Sequence, residues 1–352
     1  LRSITYPSTG NDIVASGMVR ALQIGEGTIR FVMEIDASRM NEMEALKSAA
    51  ESRLSQIEGA GNVQIIMTAH SEKAAEPAKP SEPVPIRPRP APPGTSGPQR
   101  VPGIDRIVAV ASGKGGVGKS TVAANLACAL AAEGRKVGLL DADVYGPSQP
   151  KMLGISGRPT SPDGQMILPL RNHGVTLISI GLMTSGDQAV VWRGPLLMGA
   201  LQQMMSQVQW GALDILIVDL PPGTGDVQMT LSQKFIVDGA IIVSTPQDVA
   251  LLDARKGIDM FQQMQVPIIG MIENMSTHIC SKCGHEEHVF GHGGVAAEAE
   301  KLGVPLLAEV PLHLNIRLAG DGGTPIAVES PDAPEAGVFR RLAKTLVAEG
   351  QA

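Results

Sequence analysis

The chain has 352 residues, a formal net charge of −6 and only 3% aromatic residues. That length supports two domains or one large one around a core of Val, Ile, Leu, Met and Ala, and the acidic balance without a polybasic block argues against nucleic acid as a partner. No apolar run is long enough to cross a membrane, no signal-peptide pattern opens the chain, and the three cysteines are no disulfide framework, so a cytoplasmic protein without a membrane partner is expected.

Residues 1–71 read as a small α+β domain. Thr28 to Ile35 alternates apolar and polar residues like a half-buried strand. Met43 to Ile57 places Leu46, Ala49, Ala50, Leu54 and Ile57 at helical spacing. Asn62 to Met67 reads as a second strand. Residues 72–104 form a linker, with ten prolines between Pro77 and Pro102. Almost nothing there is apolar, so an extended spacer of about 3 Å per residue is expected.

Residues 105–352 alternate apolar strands with helical stretches, the pattern of an α/β domain with a parallel sheet. Ile107 to Ala111 is the first strand, and Val122 to Ala132 is the helix two steps on. Between them lies Gly113-Lys114-Gly115-Gly116-Val117-Gly118-Lys119-Ser120-Thr121. Strand, glycine loop and helix is the context of a phosphate-binding loop. Glycines let the backbone N–H groups point inward at an anion, and the helix N-terminus adds partial positive charge. Lys119 is expected on the β/γ-phosphates and Ser120 on Mg²⁺.

Later strands are read at Val137 to Leu140, Val175 to Ile180, Ile215 to Leu220, Ala240 to Ser244, Pro267 to Ile272 and Leu306 to Val310. Ligands bind at the carboxyl ends of such strands, and the polar clusters stand there. Asp141 and Asp143 follow one strand. Asp219 closes another in the manner of a Walker B aspartate that holds Mg²⁺. Pro221 to Asp226 reads as a glycine-hinged switch loop. The GTPase string Asn-Lys-x-Asp is absent, which favours ATP.

Cys280 and Cys283 form a C-x-x-C, half the ligand set of a tetrahedral metal centre. His285, His288 or His292 within one chain, or two cysteines from a second copy, would complete it. A redox dithiol is the third reading. Spacing alone leaves zinc and iron–sulfur equally open. Cys128 falls inside the helix after the phosphate loop and reads as core. The Met/Leu-rich helix from Leu196 to Val208 also reads as core. Val338 to Val347 is amphipathic and basic, suited to docking on the sheet or to a membrane surface.

The Lys-Gly-Gly-x-Gly-Lys-Ser form resembles the deviant Walker A loop of the MinD/ParA/nitrogenase iron protein class. The resemblance implies a homodimer in which Lys114 reaches the partner's nucleotide. It further implies that Asp143 orients water and that Asn274 reads adenine. Lys114, Lys119 and Asp143 are then the catalytic set. The string Asp141-Ala142-Asp143-Val144-Tyr145-Gly146-Pro147-Ser148, Trp192-Arg193-Gly194-Pro195, Glu273-Asn274-Met275-Ser276 and the cysteine pair are similar to Mrp-type (ApbC/Nbp-like) iron–sulfur cluster carrier P-loop ATPases. That family implies ATP binding, slow hydrolysis, and a labile cluster handed to apo iron–sulfur proteins alongside cluster assembly factors. Four cysteines from two chains suit a [4Fe–4S] cluster on the dimer axis. A nucleotide-driven change in how the cysteines face each other is expected, because Asn274 and Cys280 share one loop. Residues 1–71 resemble the small domain of iron–sulfur assembly factors. The loop Asp36 to Asn41 lacks that family's cysteine, so a docking or regulatory role is favoured there. The competing readings are a MinD/ParA-like positioning ATPase with a C-terminal membrane tail, and a zinc-binding P-loop ATPase.

Overall fold

The structure is a computed structural model. It describes residues 12–13, 16, 19–25, 28–36, 50, 52–54, 62–70, 97–161, 166–183, 194–280 and 282–352. Trp192 and Arg193 of the family string lie outside these residues, as do the linker prolines up to Pro93 and the loop from Ala37 to Asn41. The chain divides into two compact units, Leu1–Pro90 and Ala91–Ala352.

The first unit carries strands β1 (Val19–Gly25), β2 (Thr28–Asp36) and β3 (Asn62–His70) in one sheet. β1 runs antiparallel to β2, and β2 runs parallel to β3. A parallel pair needs a crossover, and the described residues 50 and 52–54 within it are helical. Ile29, Ala50, Leu54 and Ile65 are buried. The expected strands at 28–35 and 62–67 are present, and β1 is an addition that periodicity missed.

In the second unit, β4 (Ile104–Ala111) leads through the glycine loop into α1 (Lys119–Ala132). Next come β5 (Val137–Asp141), the short α2 (Gln149–Met152), β6 (Leu170–Asn172), β7 (Val175–Ser179) and α3 (Ile180–Met183). α4 (Gly194–Ser206), β8 (Leu213–Asp219), α5 (Asp226–Lys234), β9 (Gly239–Ser244) and α6 (Asp248–Gln263) follow. β10 (Ile268–Asn274) then gives way to the two-residue strands β11 (His278–Ile279) and β12 (Glu286–Glu287). The unit ends with α7 (Gly294–Leu302), β13 (Leu306–Val310), α8 (Leu314–Gly322), α9 (Ile326–Glu329) and α10 (Pro334–Ala348).

The eight-stranded sheet has the order β13-β10-β9-β4-β8-β5-β7-β6. Only the β6–β7 pairing is antiparallel. Its central strands are apolar on both faces because helices cover both. In β4, Ile107, Ala109 and Ala111 enter one core, and Val108 and Val110 enter the other. The first core takes Leu201, Met204 and Met205 of α4, which confirms that helix as a core element. The second takes Cys128, Phe339, Leu342 and Leu346.

That last placement corrects the membrane-tail reading of 338–347. Phe339, Leu342, Ala343 and Leu346 are at most 1% exposed, on a helix that packs against α1. Each such side chain is worth about 1.5–3 kcal/mol in burial, so withdrawing the set to reach a lipid surface would cost most of a domain's stability. No described helix is long and apolar enough to cross a membrane.

Candidate functional site

The glycine loop joins β4 to α1 at the carboxyl edge of the sheet. Two of its glycines answer to steric demands. A Cβ at Gly113 would collide with the carbonyl of Asp253 in α6, and one at Gly118 would collide with the Asn274 amide. Gly118 also has φ +81°, a conformation that costs most other residues strain.

Lys119 opens α1 and is buried. Its Nζ is ion-paired with Asp219 Oδ1 and lies 3.2 Å from Ser120 Oγ. Asp219 ends β8 and pairs in register with Asp141 at the end of β5. Both are 0% exposed. Asp141 is pushed up to about 7, first by burial and then by the charge of Asp219. Ser179 Oγ donates to Asp141 Oδ2 at 3.0 Å. Lys119 is ion-paired with Asp219, and the Asp141 carboxyl stands beside that pair. An oxygen donor set of Asp219 and Ser120 fits a hard divalent cation such as Mg²⁺.

Asp143 is half-buried, and its Oδ1 accepts from the amides of Tyr145 and Gly146 at 3.2 and 3.3 Å. It lines a cavity of about 280 Å³ with Lys114, Lys119, Ser120, Ser148 and Pro222. Lys114, Lys119, Ser120, Thr121 and Asp143 thus line one cavity. A neighbouring cavity of about 330 Å³ shares Gly118, Thr121 and Met152 with it and adds Asn274, Pro311, Leu312 and Arg317. The Asn274 Nδ2 donates to Val117 O at 2.8 Å, so this side chain also ties the phosphate loop to β10.

The loop after Asp219 is held by a residue that sequence reasoning missed. Gln228 Nε2 donates to Pro221 O and Gly223 O at 2.8 and 2.9 Å, and its Oε1 accepts from Gly225 N at 3.1 Å. Its place three residues after Gly225, the helix N-cap, is the available signal.

Past β10, Ser276 N donates to Val310 O and leads into β11. β11 and β12 pair antiparallel, His278 with Glu287 and Ile279 with Glu286. Cys280 and Cys283 occupy the connecting turn. Cys280 N donates to His285 O, Gly284 N donates to Cys280 O, both at 2.9 Å, and Gly284 has φ +73°. Cys283 is exposed and Cys280 half-buried. The amides of Lys282 and Cys283, then the Cys283 thiol, pull the Cys280 thiol below its ordinary range. That favours the thiolate, the form that ligates metal.

The single-chain zinc alternative finds no assembled site. Among the described residues, no group of three or more His, Cys, Asp or Glu stands ready to hold a metal ion. His288 has its Nδ1 3.0 Å from Ser276 O, and its ring packs on His292 with centroids 4.2 Å apart. Cys128 is the core residue expected, and burial pushes its thiol up to about 12.

Comparison with known proteins follows the same division. A family model described as "Iron-sulfur cluster assembly protein" matches residues 1–65. An iron–sulfur cluster carrier protein of Haemophilus influenzae is 42% identical over 350 residues, covering 99% of this chain and 90% of the relative. One of Escherichia coli is 53% identical over 248 residues, covering 70% of this chain and 67% of the relative. A solved nucleotide-binding protein from Archaeoglobus fulgidus in complex with ADP superposes with a TM-score of 0.58 at 35% identity, over 68% of this chain and 93% of that one. The family model described as "NUBPL iron-transfer P-loop NTPase" matches residues 103–347, and the chain belongs to that family.

Proposed function

We propose that this chain carries a [4Fe–4S] cluster on Cys280 and Cys283 of two subunits, binds and slowly hydrolyses ATP, and passes the cluster to apo iron–sulfur proteins. The observation that carries this reading is one run of backbone serving two sites. Residues 274–280 supply the Asn274 contact to the phosphate loop and the first cysteine of the hairpin. A pair of thiols at an exposed turn is half of a cluster's ligand set, and a second copy supplies the rest. Tyr145 after β5, Val249 and Leu252 in the first turns of α6, and Ile279 in the hairpin are exposed apolar residues, and a partner subunit is the surface proposed to cover them.

The phosphates of ATP take the cavity lined by Lys114, Lys119, Ser120 and Asp143. The base takes the cavity beside Asn274 and Pro311. Asp219 and Ser120 hold magnesium, which when bound offsets the charge of the phosphate oxygens. Lys119 draws charge from the transferred phosphoryl group, Asp143 orients water, and Lys114 reaches the partner's nucleotide. Phosphoryl transfer depends on positioning and electrostatics, so no strongly basic residue is needed. The free cysteines suit a reducing compartment such as the cytoplasm. Residues 1–71 serve as a docking domain toward assembly factors or recipients.

Iron and sulfide analysis of the full chain, purified and reconstituted without oxygen, tests the reading. Wild type is expected to hold a cluster with [4Fe–4S] Mössbauer parameters. The doubly substituted Cys280→Ala, Cys283→Ala protein is expected to hold none. Retention of the same cluster by that variant overturns the assignment.

A further inference from the structure

Gln149 opens α2 with its side chain 0% exposed. Its Nε2 donates to Asp219 Oδ2 at 2.8 Å and to Ser120 O at 2.9 Å. Its backbone N–H donates to Asp141 Oδ2 at 3.1 Å. Both partners of Nε2 are acceptors, so the orientation of the amide is decided: nitrogen toward Asp219 and Ser120, oxygen away from them. That oxygen is buried and has no hydrogen-bond partner. A buried amide oxygen left bare forfeits its hydration without return, so the amide is buried here for what its nitrogen does.

Gln149 therefore grips both residues assigned to magnesium, Asp219 through its carboxylate and Ser120 through its carbonyl. The geometry points to Gln149 as a positioning residue of the magnesium site: its nitrogen holds the Asp219 carboxylate and the Ser120 carbonyl in place. This inference rests on the magnesium–nucleotide reading above. It adds a residue that lies outside the phosphate loop, the Asp141-Ala142-Asp143 string and the switch loop after Asp219.

The test is equilibrium binding of a fluorescent ADP analogue to the full chain, with Mg²⁺ and with EDTA. The readout is the ratio of the two affinities, so a general loss of folded protein cancels. Wild type is expected to bind more tightly with Mg²⁺. Gln149→Met fills similar space without an amide, and its ratio is expected to fall about tenfold, the worth of one hydrogen bond beside a charge. Gln149→Glu removes the Nε2 donor and sets a carboxylate against Asp219, so its ratio and its melting temperature are both expected to fall. An undiminished ratio in Gln149→Met overturns the proposal and leaves Gln149 as packing. If Gln149→Met does not fold, Gln149→Glu decides, because an undiminished ratio there denies the nitrogen its hold on Asp219 and Ser120. A wild-type protein whose affinity ignores Mg²⁺ sinks the magnesium reading itself, and with it the role given to Gln149.

Discussion

The backbone N–H of Leu312 donates to the carbonyl of Thr277 at 2.8 Å. Leu312 walls the cavity assigned to the base, and Thr277 is the residue before β11. The His278 ring adds a second tie, with Nδ1 3.1 Å from Leu312 O. The base cavity and the root of the cysteine hairpin are thus joined by two hydrogen bonds across the β10–β11 and β13–α8 connections. Couplings of this kind are worth about 0.5–2 kcal/mol.

His278→Ala removes one of these ties and neither cysteine. It is expected to load a normal cluster and to lose most of the ATP dependence of transfer that a nucleotide-driven rearrangement of the cysteines would give. Cluster-transfer rates to an apo-ferredoxin check this. The same ATP effect in variant and wild type would remove His278 from the coupling.

Thiol chemistry separates the three cysteines. Cys280 and Cys283 are accessible at the hairpin turn, whereas Cys128 is 2% exposed with its thiol pushed up to about 12. A thiol-reactive dye on the cluster-free protein should modify two groups quickly and the third only in denaturant. Three fast thiols would contradict the burial of α1.

Gly113→Ala places a methyl group against the Asp253 carbonyl. Either the loop or α6 must move, and misplaced phosphate donors lose much of their value. Nucleotide affinity is expected to fall about tenfold or more, the worth of one charge-assisted hydrogen bond. Titration calorimetry with ADP measures it, and wild-type affinity would contradict the close approach of loop and helix.

Phe339→Ala empties a fully buried position in α10. The expected loss is about 3–5 kcal/mol, read as a lowered denaturant midpoint. Liposome sedimentation should be the same for the two proteins. A stable Phe339→Ala protein that lost lipid binding would restore the membrane-tail reading.

Arg255 Nε and Nη2 both contact the buried Glu298 carboxylate, tying α6 to α7. The hydrogen bonds from Arg255 hold the Glu298 carboxyl below its ordinary range. A depressed folded pKa contributes stability above the unfolded value, near 4.5, and that stability is lost as pH falls through the folded value. Thermal melts from pH 7 down to 3 should show a shallower acid decline for Glu298→Gln, starting from a lower plateau. Parallel curves for the two proteins would deny Glu298 a share of the acid limb.

Local chemistry determined the phosphate loop, the aspartates at strand ends, the cysteine pair and most strands of the second unit. A run such as Ile107 to Ala111 is apolar on both faces wherever a parallel sheet is sandwiched, and Gly113 to Ser120 needs only its neighbouring strand and helix to act. Gln149 and Gln228 were invisible for the opposite reason. An uncharged amide carries no pattern of its own, and each gains meaning only when folding sets it beside Asp219 or the loop that follows. The same holds for 338–347, whose amphipathic face suits lipid or protein equally until α1 covers it. The hairpin of β11 and β12 is too short for periodicity to register. Tertiary structure decided which buried groups meet, because hydrogen bonding and desolvation depend on distances across the fold, whereas motif and periodicity depend on spacing along the chain.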